Sequence, residues 1–212
     1  MLFRSDTGTN NFFLNGPTAS VAYDTSDDLL NPTRGYRGRL DLTPYQSFSG
    51  PNLTFVSGRL RGSTYQRLTD DDRYIIAVSA AVSSLAGPGL EFIPADKRIY
   101  AGGGGSIRAY GYQMAGTLDA DRKPIGGKSA VELSLEARIK ITDSIGIVPF
   151  LDAGSYYSTM LPKLDQKMLF GPGIGFRYYT SFGPIRLDIA TPAIRRSGDS
   201  WAQLYISIGQ AF

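Results

Sequence analysis

The sequence predicts an all-β fold, an antiparallel transmembrane β-barrel portion of about nine strands. Apolar and polar side chains alternate over long stretches, which is the two-residue period of a strand. Turn residues such as Gly, Pro, Asn and Asp separate these stretches, and no segment has a convincing helical period. The chain has no run of about eighteen apolar residues, so the pattern excludes a transmembrane helix.

The alternation defines the strands in chain order. They are predicted near residues 18–24, 35–45, 53–68, 73–86, 128–141, 145–157, 168–180, 183–193 and 202–212. The clearest case is 128–141, where Leu133 and Leu135 fall on one face and Glu132 and Glu136 fall on the other. Each strand therefore has one apolar face and one polar or small face.

Strand length indicates where this sheet resides. Several predicted strands have about ten residues or more, whereas strands in soluble sheets average about five or six. Long strands suit a tilted crossing of a bilayer, where the barrel wall is apolar outside and polar inside. A soluble lipid-binding β-barrel reverses the faces, and alternation alone does not tell which face points outward. Strand length and the charged second face favour the membrane.

Residues 1–17 are expected to be an irregular N-terminal remnant, and residues 18–212 to form the barrel portion.

The composition disfavours enzymes, metal centres and nucleic-acid binding. The chain has no Cys and no His, which removes disulfides, thiol nucleophiles, a Ser-His-Asp triad and the usual zinc ligands. Its 22 basic and 19 acidic residues are interspersed, so no basic stripe for nucleic acid appears. The sequence therefore predicts a protein that is not an enzyme and needs no cofactor.

Several charged or glycine-rich groups have alternative interpretations. The run Gly102–Gly105 before Arg108 lacks the Lys-Ser/Thr pair and helix of a phosphate loop, and it would otherwise be a flexible connector beside a solvated arginine. Glu132 and Glu136 fit a charged lumen better than an acid–base pair. A further group of acidic residues has two interpretations, a calcium site or, more commonly for such a run, a solvated turn. Its members are Asp70, Asp71, Asp72, Asp119 and Asp121.

Three segments carry a resemblance to a known family. The first is the loop GGGGSIRAYGY, and the second is the PFLDAGSYY strand with Phe150, Asp152 and Gly154. The third is GPGIGFRYY together with the terminus YISIGQAF. In this order they resemble the C-terminal half of the barrel in the BamA/TamA superfamily of outer-membrane assembly and translocation proteins, also called bacterial surface antigens. NPTRGYR and IPADKRIYAGGGGS are similar to the TamA branch in particular.

The resemblance implies a latch that holds the family's inward loop, here about 87–127. An arginine inside a lumen needs carboxylate partners, and Arg108 would bind Asp152 with Glu132 as second acceptor. Wall glycines would leave room for the loop. The implied latch residues are Arg108, Asp152, Glu132, Tyr110, Phe150 and Gly154, and the wall glycines are Gly171, Gly173 and Gly175.

One residue departs from the family pattern. The family has glycine after the arginine, and this chain has Ala109. If that position requires a positive φ, the alanine costs roughly 1 kcal/mol of strain.

The resemblance also implies the setting and the function. A family barrel has about sixteen strands, so this chain is expected to be a fragment, without signal peptide, of a protein in the outer membrane of a Gram-negative bacterium. It would insert or secrete β-barrel or autotransporter clients without enzymatic chemistry, opening beside the strand 202–212. A C-terminal assembly signal is expected on one face of that strand, at Leu204, Ile206, Ile208 and Phe212.

The expected partners are outer-membrane lipid, client outer-membrane proteins or autotransporters, the barrel assembly machinery and an inner-membrane-anchored protein of the TamB type, with no nucleic acid. Two alternatives remain at this level. One is a passive outer-membrane pore or surface antigen, and the other is a soluble lipid-binding β-barrel.

Overall fold

The computed structural model describes residues 2–5, 8–11, 13–50, 52–163 and 167–212, with side chains from residue 13 onward. The strands are β1 (Leu2–Ser5), β2 (Gly8–Asn11), β3 (Phe13–Asn15), β4 (Ala19–Asp24), β5 (Gly35–Ser49), β6 (Thr54–Arg67), β7 (Tyr74–Ala86), β8 (Ser129–Lys140), β9 (Ile145–Tyr157), β10 (Leu169–Thr180), β11 (Gly183–Ala190) and β12 (Gln203–Ile208). Two short 3₁₀ turns, Leu90–Phe92 and Ala95–Lys97, lie in the long connection between β7 and β8. Within the described residues, no helix is long and apolar enough to span a membrane.

One antiparallel sheet contains the nine predicted strands. From β12 back to β5, each strand pairs with its neighbour in the chain, and β3 and β4 both pair with β5. The all-β prediction is therefore confirmed. The sheet is not closed, because β12 pairs only with β11 within the described part of the chain.

The first seventeen residues differ from the expected irregular segment. β1 and β2 form a separate hairpin, and β3 joins the edge of the large sheet. These strands have only three or four residues, too few for an alternating pattern to be recognised. Positions 1, 6, 7 and 12 of the expected segment lie outside the described residues.

The sheet is apolar on its outer face and charged on its inner face. Leu133 and Leu135 of β8 are 43% and 47% exposed, whereas Glu136 and Arg138 of the same strand are buried. β11 shows the same division, since Ile185 and Ile189 are exposed while Arg186 and Asp188 are buried. The soluble alternative required the opposite arrangement, with the apolar face inward.

The β7–β8 connection folds against the inner face. Ile107, Ala109 and Tyr110 are at most 1% exposed and form a core cluster with inward residues of β9 and β10. At its base, the connection is joined to itself by backbone hydrogen bonds between Ile99 and Gly127 of 2.8 and 2.9 Å. The connection thus packs an apolar segment, which contains Ile107, Ala109 and Tyr110, against the charged face of the sheet.

The last strand is shorter than the alternation predicts. β12 ends at Ile208 because Gly209 has a φ of +86°, a left-handed conformation that leaves the strand. The backbone N–H of Gln210 then donates to the Leu30 carbonyl at 2.8 Å, and its side-chain amide donates to Asn31 at 3.0 Å. The C-terminal segment is therefore bonded to the β4–β5 connection at one end of the sheet.

Candidate functional site

Strand register builds the site on the inner face. Asp152 of β9 lies opposite Ser134 of β8 on one side and Gly171 of β10 on the other. A Cβ added at Gly171 would overlap the Cβ of Ala109, so the glycine creates the space through which the loop reaches the wall. The register therefore sets a carboxylate directly beneath the loop residue Arg108.

Arg108 binds Asp152 through two parallel hydrogen bonds. Its Nε donates to Oδ2 at 2.8 Å and its Nη2 donates to Oδ1 at 2.9 Å, a bidentate arrangement that fixes geometry. The backbone N–H of Arg108 also donates to Oδ2 at 3.0 Å. Ser134 donates to Oδ1 of the same carboxylate at 2.7 Å, which orients it further.

Two further carboxylates complete the environment of the guanidinium. Nη1 of Arg108 donates to Glu136 at 2.7 Å and to Asp188 at 2.8 Å. The Arg108 side chain is 2% exposed, and its guanidinium carbon lies 3.4 Å from the centre of the Phe150 ring. Nη2 of Arg108 also donates to the Ser134 hydroxyl at 3.1 Å. We call Arg108 and its acceptors Ser134, Glu136, Asp152 and Asp188 the arginine cage.

The cage is tightly defined because its charges are buried. Removing one partner of a buried ion pair costs about 3–5 kcal/mol, since the remaining charge is left uncompensated. Around the cage, Arg138 donates to Glu136 at 3.0 Å and Arg177 donates to Asp188 at 2.6 Å. The site is thus a network of charge-assisted hydrogen bonds rather than a single pair.

The second acceptor differs from the sequence prediction. Glu132 binds Arg59 of β6 at 2.7 Å, whereas Glu136 binds Arg108. Both glutamates lie on the inner face of β8, so their alternation could not distinguish them. Asp188 was missed as well, although its position between Ile185 and Ile189 on an alternating strand was a usable signal.

Ala109 does not require the family's glycine. Among the described residues, positive φ values outside glycine occur at Asp72, Gln113 and Arg122, and Ala109 has none. The expected strain is therefore absent. The departure is accommodated instead by Gly171, whose missing side chain leaves space for the alanine methyl group.

The other predicted glycines also lie against the site. A Cβ at Gly173 would overlap the Phe150 ring, and one at Gly175 would overlap the side chains of Arg177 and Asp188. Gly154 has the Ile107 side chain 3.0 Å from its added Cβ position. Glycine in this row gives room to the loop and to the buried charges.

Tyr110 and Arg196 connect the loop to the β11–β12 connection. The Tyr110 hydroxyl donates to the Ile194 carbonyl at 2.9 Å, and burial raises the pKa of this phenol. Arg196 donates to the carbonyls of Met114 and Gly116 at 2.6 Å each.

Asp199 holds Arg196 in place. It accepts hydrogen bonds from Nε and Nη2 of Arg196 at 2.9 and 3.0 Å. Burial raises the pKa of the Asp199 carboxyl, but the hydrogen bonds from Arg196 outweigh it and leave the pKa below its usual value. Asp199 is therefore ionised at neutral pH, and it keeps Arg196 aligned with the loop.

The predicted C-terminal signal is divided between the two faces. Leu204, Ile206 and Ile208 point outward and are 60–72% exposed. Phe212 points inward, where its ring stacks on Tyr65 at 6.4 Å between centroids and its carbonyl accepts from Arg138 at 3.1 Å. The turn at Gly209 breaks the alternation, which explains why Phe212 does not share the outer face.

The aspartates considered for calcium are engaged elsewhere or dispersed. Asp71 binds Arg73 and Asp72 binds Arg67, each at 3.0 Å. Within the part of the chain that the structure describes, no group of three acidic side chains is arranged to hold a metal ion.

An antiparallel sheet that is apolar outside and charged inside, with a loop bound to its inner face, defines the wall of an outer-membrane β-barrel. The family follows from comparison: the Omp85 superfamily domain matches residues 3–212, and the chain belongs to that superfamily. Omp85 barrels are bacterial outer-membrane proteins of assembly and translocation, and they are not enzymes.

A solved structure shares this fold. It is the crystal structure of BamA from Haemophilus ducreyi lacking POTRA domains 1–3, with a TM-score of 0.71 and 21% sequence identity. The match covers 88% of this chain and 40% of the BamA chain. The chain thus spans less than half the length of the relative it matches.

Proposed function

We propose that the protein is a TamA-like assembly factor, which inserts or secretes outer-membrane β-barrel or autotransporter clients without enzymatic chemistry. The observation that carries the proposal is the arginine cage. A buried guanidinium with bidentate geometry holds the long loop against the inner wall, so the cage stabilises one defined loop position.

The loop contacts β12, the strand at the free edge of the sheet. The Tyr205 hydroxyl on β12 donates to the Tyr110 carbonyl at 3.3 Å, and Tyr205 also lies beneath Gly104. Because β12 is the edge strand of the described sheet, opening beside it would disturb these contacts. The arginine cage would keep the loop ordered while a client strand enters there.

The proposed partners follow from this role. They are client outer-membrane proteins or autotransporters, an inner-membrane-anchored partner of the TamB type, and the barrel assembly machinery that inserts this barrel itself. The outward row of Leu204, Ile206 and Ile208 is the proposed assembly signal, and it also contacts outer-membrane lipid.

Arg108→Lys in the full-length protein tests the proposal. Lysine keeps the charge but cannot form the two parallel bonds to Asp152, so the loop loses its fixed position. We expect a lower temperature for the heat-induced gel-mobility shift of the barrel and a reduced level of inserted clients in the outer membrane. Arg195→Gln is the matched control, because Arg195 is exposed and lies over Trp201 outside the cage.

Two results would contradict the proposal. Unchanged heat resistance in the lysine variant would show that the cage does not hold the loop. Reduced heat resistance with normal client levels would instead support a passive pore or surface antigen.

A further inference from the structure

The charge cluster around the arginine cage contains four arginines and three carboxylates. Its buried members are Arg108, Arg138, Arg177 and Arg186, with Glu136, Asp152 and Asp188. All six carboxylate oxygens already accept hydrogen bonds from the first three arginines. The other buried glutamate, Glu132, is bound by Arg59. Arg186 is the arginine without a carboxylate of its own.

The guanidinium of Arg186 has donors that no described residue satisfies. Its side chain is 8% exposed, and neither Nε nor Nη1 makes a hydrogen bond within the described residues. The nearest carboxylate oxygen, Oδ2 of Asp188, is 3.5 Å from Nε and already binds Arg108. Burying a cation with unpaired donors is unfavourable, so an anion at this position would stabilise the protein.

A second arginine lies beside Arg186 on the inner face. Arg177 of β10 lies directly opposite Arg186 in the strand register, and like charges in this position repel each other. Nη2 of Arg177 also lacks a hydrogen-bond partner among the described residues and lies 4.0 Å from the Glu136 carboxylate. Two neighbouring guanidinium groups with unused N–H donors suit an acceptor that has two oxygens.

We propose that Arg186 and Arg177 together bind a carboxylate. This assignment is independent of the assembly function. The carboxylate could be a free ion, or it could belong to an acidic side chain on a strand that pairs with the free edge of β12. The second source is within reach because Ser207, the β12 residue opposite Arg186, is small and faces inward.

Formate is the probe for the free ion. The chain is folded in detergent micelles, and its unfolding temperature is measured against formate concentration at constant ionic strength. We expect a saturable rise for the wild-type chain and for Arg195→Gln, the exposed control, and no rise for Arg186→Gln. Because the glutamine removes an uncompensated charge, this variant should unfold at the same temperature as the wild type or higher without formate.

A conservative variant guards against a folding defect in Arg186→Gln. Arg186→Lys keeps the charge but loses the planar pair of donors, so its half-saturating formate concentration should rise about tenfold.

A strand peptide is the probe for the second source. Two peptides with alternating apolar and polar residues differ only in one inward Asp or Asn. Stabilisation by formate supports a free carboxylate ion, and stabilisation by the Asp peptide alone supports an acidic side chain. No stabilisation by either probe, or an equal formate response in Arg186→Gln, would overturn the site.

Discussion

The contact between Gly171 and Ala109 yields the sharpest prediction from the structure. A methyl group added by Gly171→Ala would overlap the Ala109 methyl group, and the Cα and N atoms of Ala109 would lie 3.3 and 3.5 Å from it. Both positions are deeply packed, since Ala109 is 0% exposed. Overpacking of this kind costs about 1–3 kcal/mol, so Gly171→Ala should destabilise the barrel by that amount.

The same geometry predicts a rescue. The Ala109 methyl group is the main steric conflict, and the contact to the Ala109 Cα at 3.3 Å is much milder, so Ala109→Gly in the Gly171→Ala background should recover most of the lost stability. Ala109→Gly alone should destabilise by about 1 kcal/mol, because it removes a buried methyl group and adds backbone freedom. The two changes are therefore coupled, with an interaction free energy of about 1–3 kcal/mol of opposite sign to their separate costs.

Urea titration of the folded barrel in lipid vesicles measures this double-mutant cycle, with the folded fraction followed by gel mobility without heating. Additive effects of the two substitutions would refute the reasoning, because they would show that the two residues do not share one space. Gly62→Ala is the matched control: its added Cβ has its nearest neighbour at 3.8 Å, so it should cost less than Gly171→Ala.

The two glutamates of β8 should respond differently to neutralisation. In urea titration, Glu136→Gln should cost about 3–5 kcal/mol of stability because it breaks the fully buried pair with Arg108. Glu132→Gln should cost about 1 kcal/mol because its partner Arg59 is partly exposed. Equal losses would contradict the assignment of Glu136, rather than Glu132, as the acceptor of Arg108. The pKa of Asp199 is lowered in the folded protein, so its contribution to stability is complete above its usual pKa and is lost as the pH falls through the lowered value. The acid-induced fall in unfolding temperature should therefore be smaller in Asp199→Asn than in the wild type, and identical pH profiles would exclude this role for the Arg196 contact. Ile206→Lys puts a charge on the outward face of β12 and should destabilise the bilayer-embedded barrel by up to about 2–4 kcal/mol in urea titration. An unchanged stability in the bilayer would show that Ile206 does not face lipid.

Alternation was sufficient to predict the sheet and its nine strands. A two-residue period is a local property, so the sequence shows it wherever a strand has enough residues, here six or more. The short strands β1 to β3 escape this rule because their three or four residues cannot establish a period. The end of β12 was not predicted either, because it depends on the positive φ of Gly209, which the pattern of side chains does not encode.

The site was predictable only where one residue stands out. Arg108 and Asp152 are brought together as the sequence suggested, because each lies in a distinctive segment. The choice of Glu136 over Glu132 depends on how far the arginine reaches along β8, and both residues satisfy the same alternation. Alternation places Asp188 on the inner face of β11, but its pairing with Arg108 joins residues 80 positions apart and depends on the tertiary fold, which no local pattern encodes.

The bond between Gln210 and Leu30 has a geometric consequence for the two edges of the sheet. It fixes the distance between the β4–β5 connection and the chain end, while β12 has no partner along its free side in the described residues. Any separation of the edges must therefore increase with distance from this bond. The gap that results is a wedge, widest at the end of the sheet where the long loop lies.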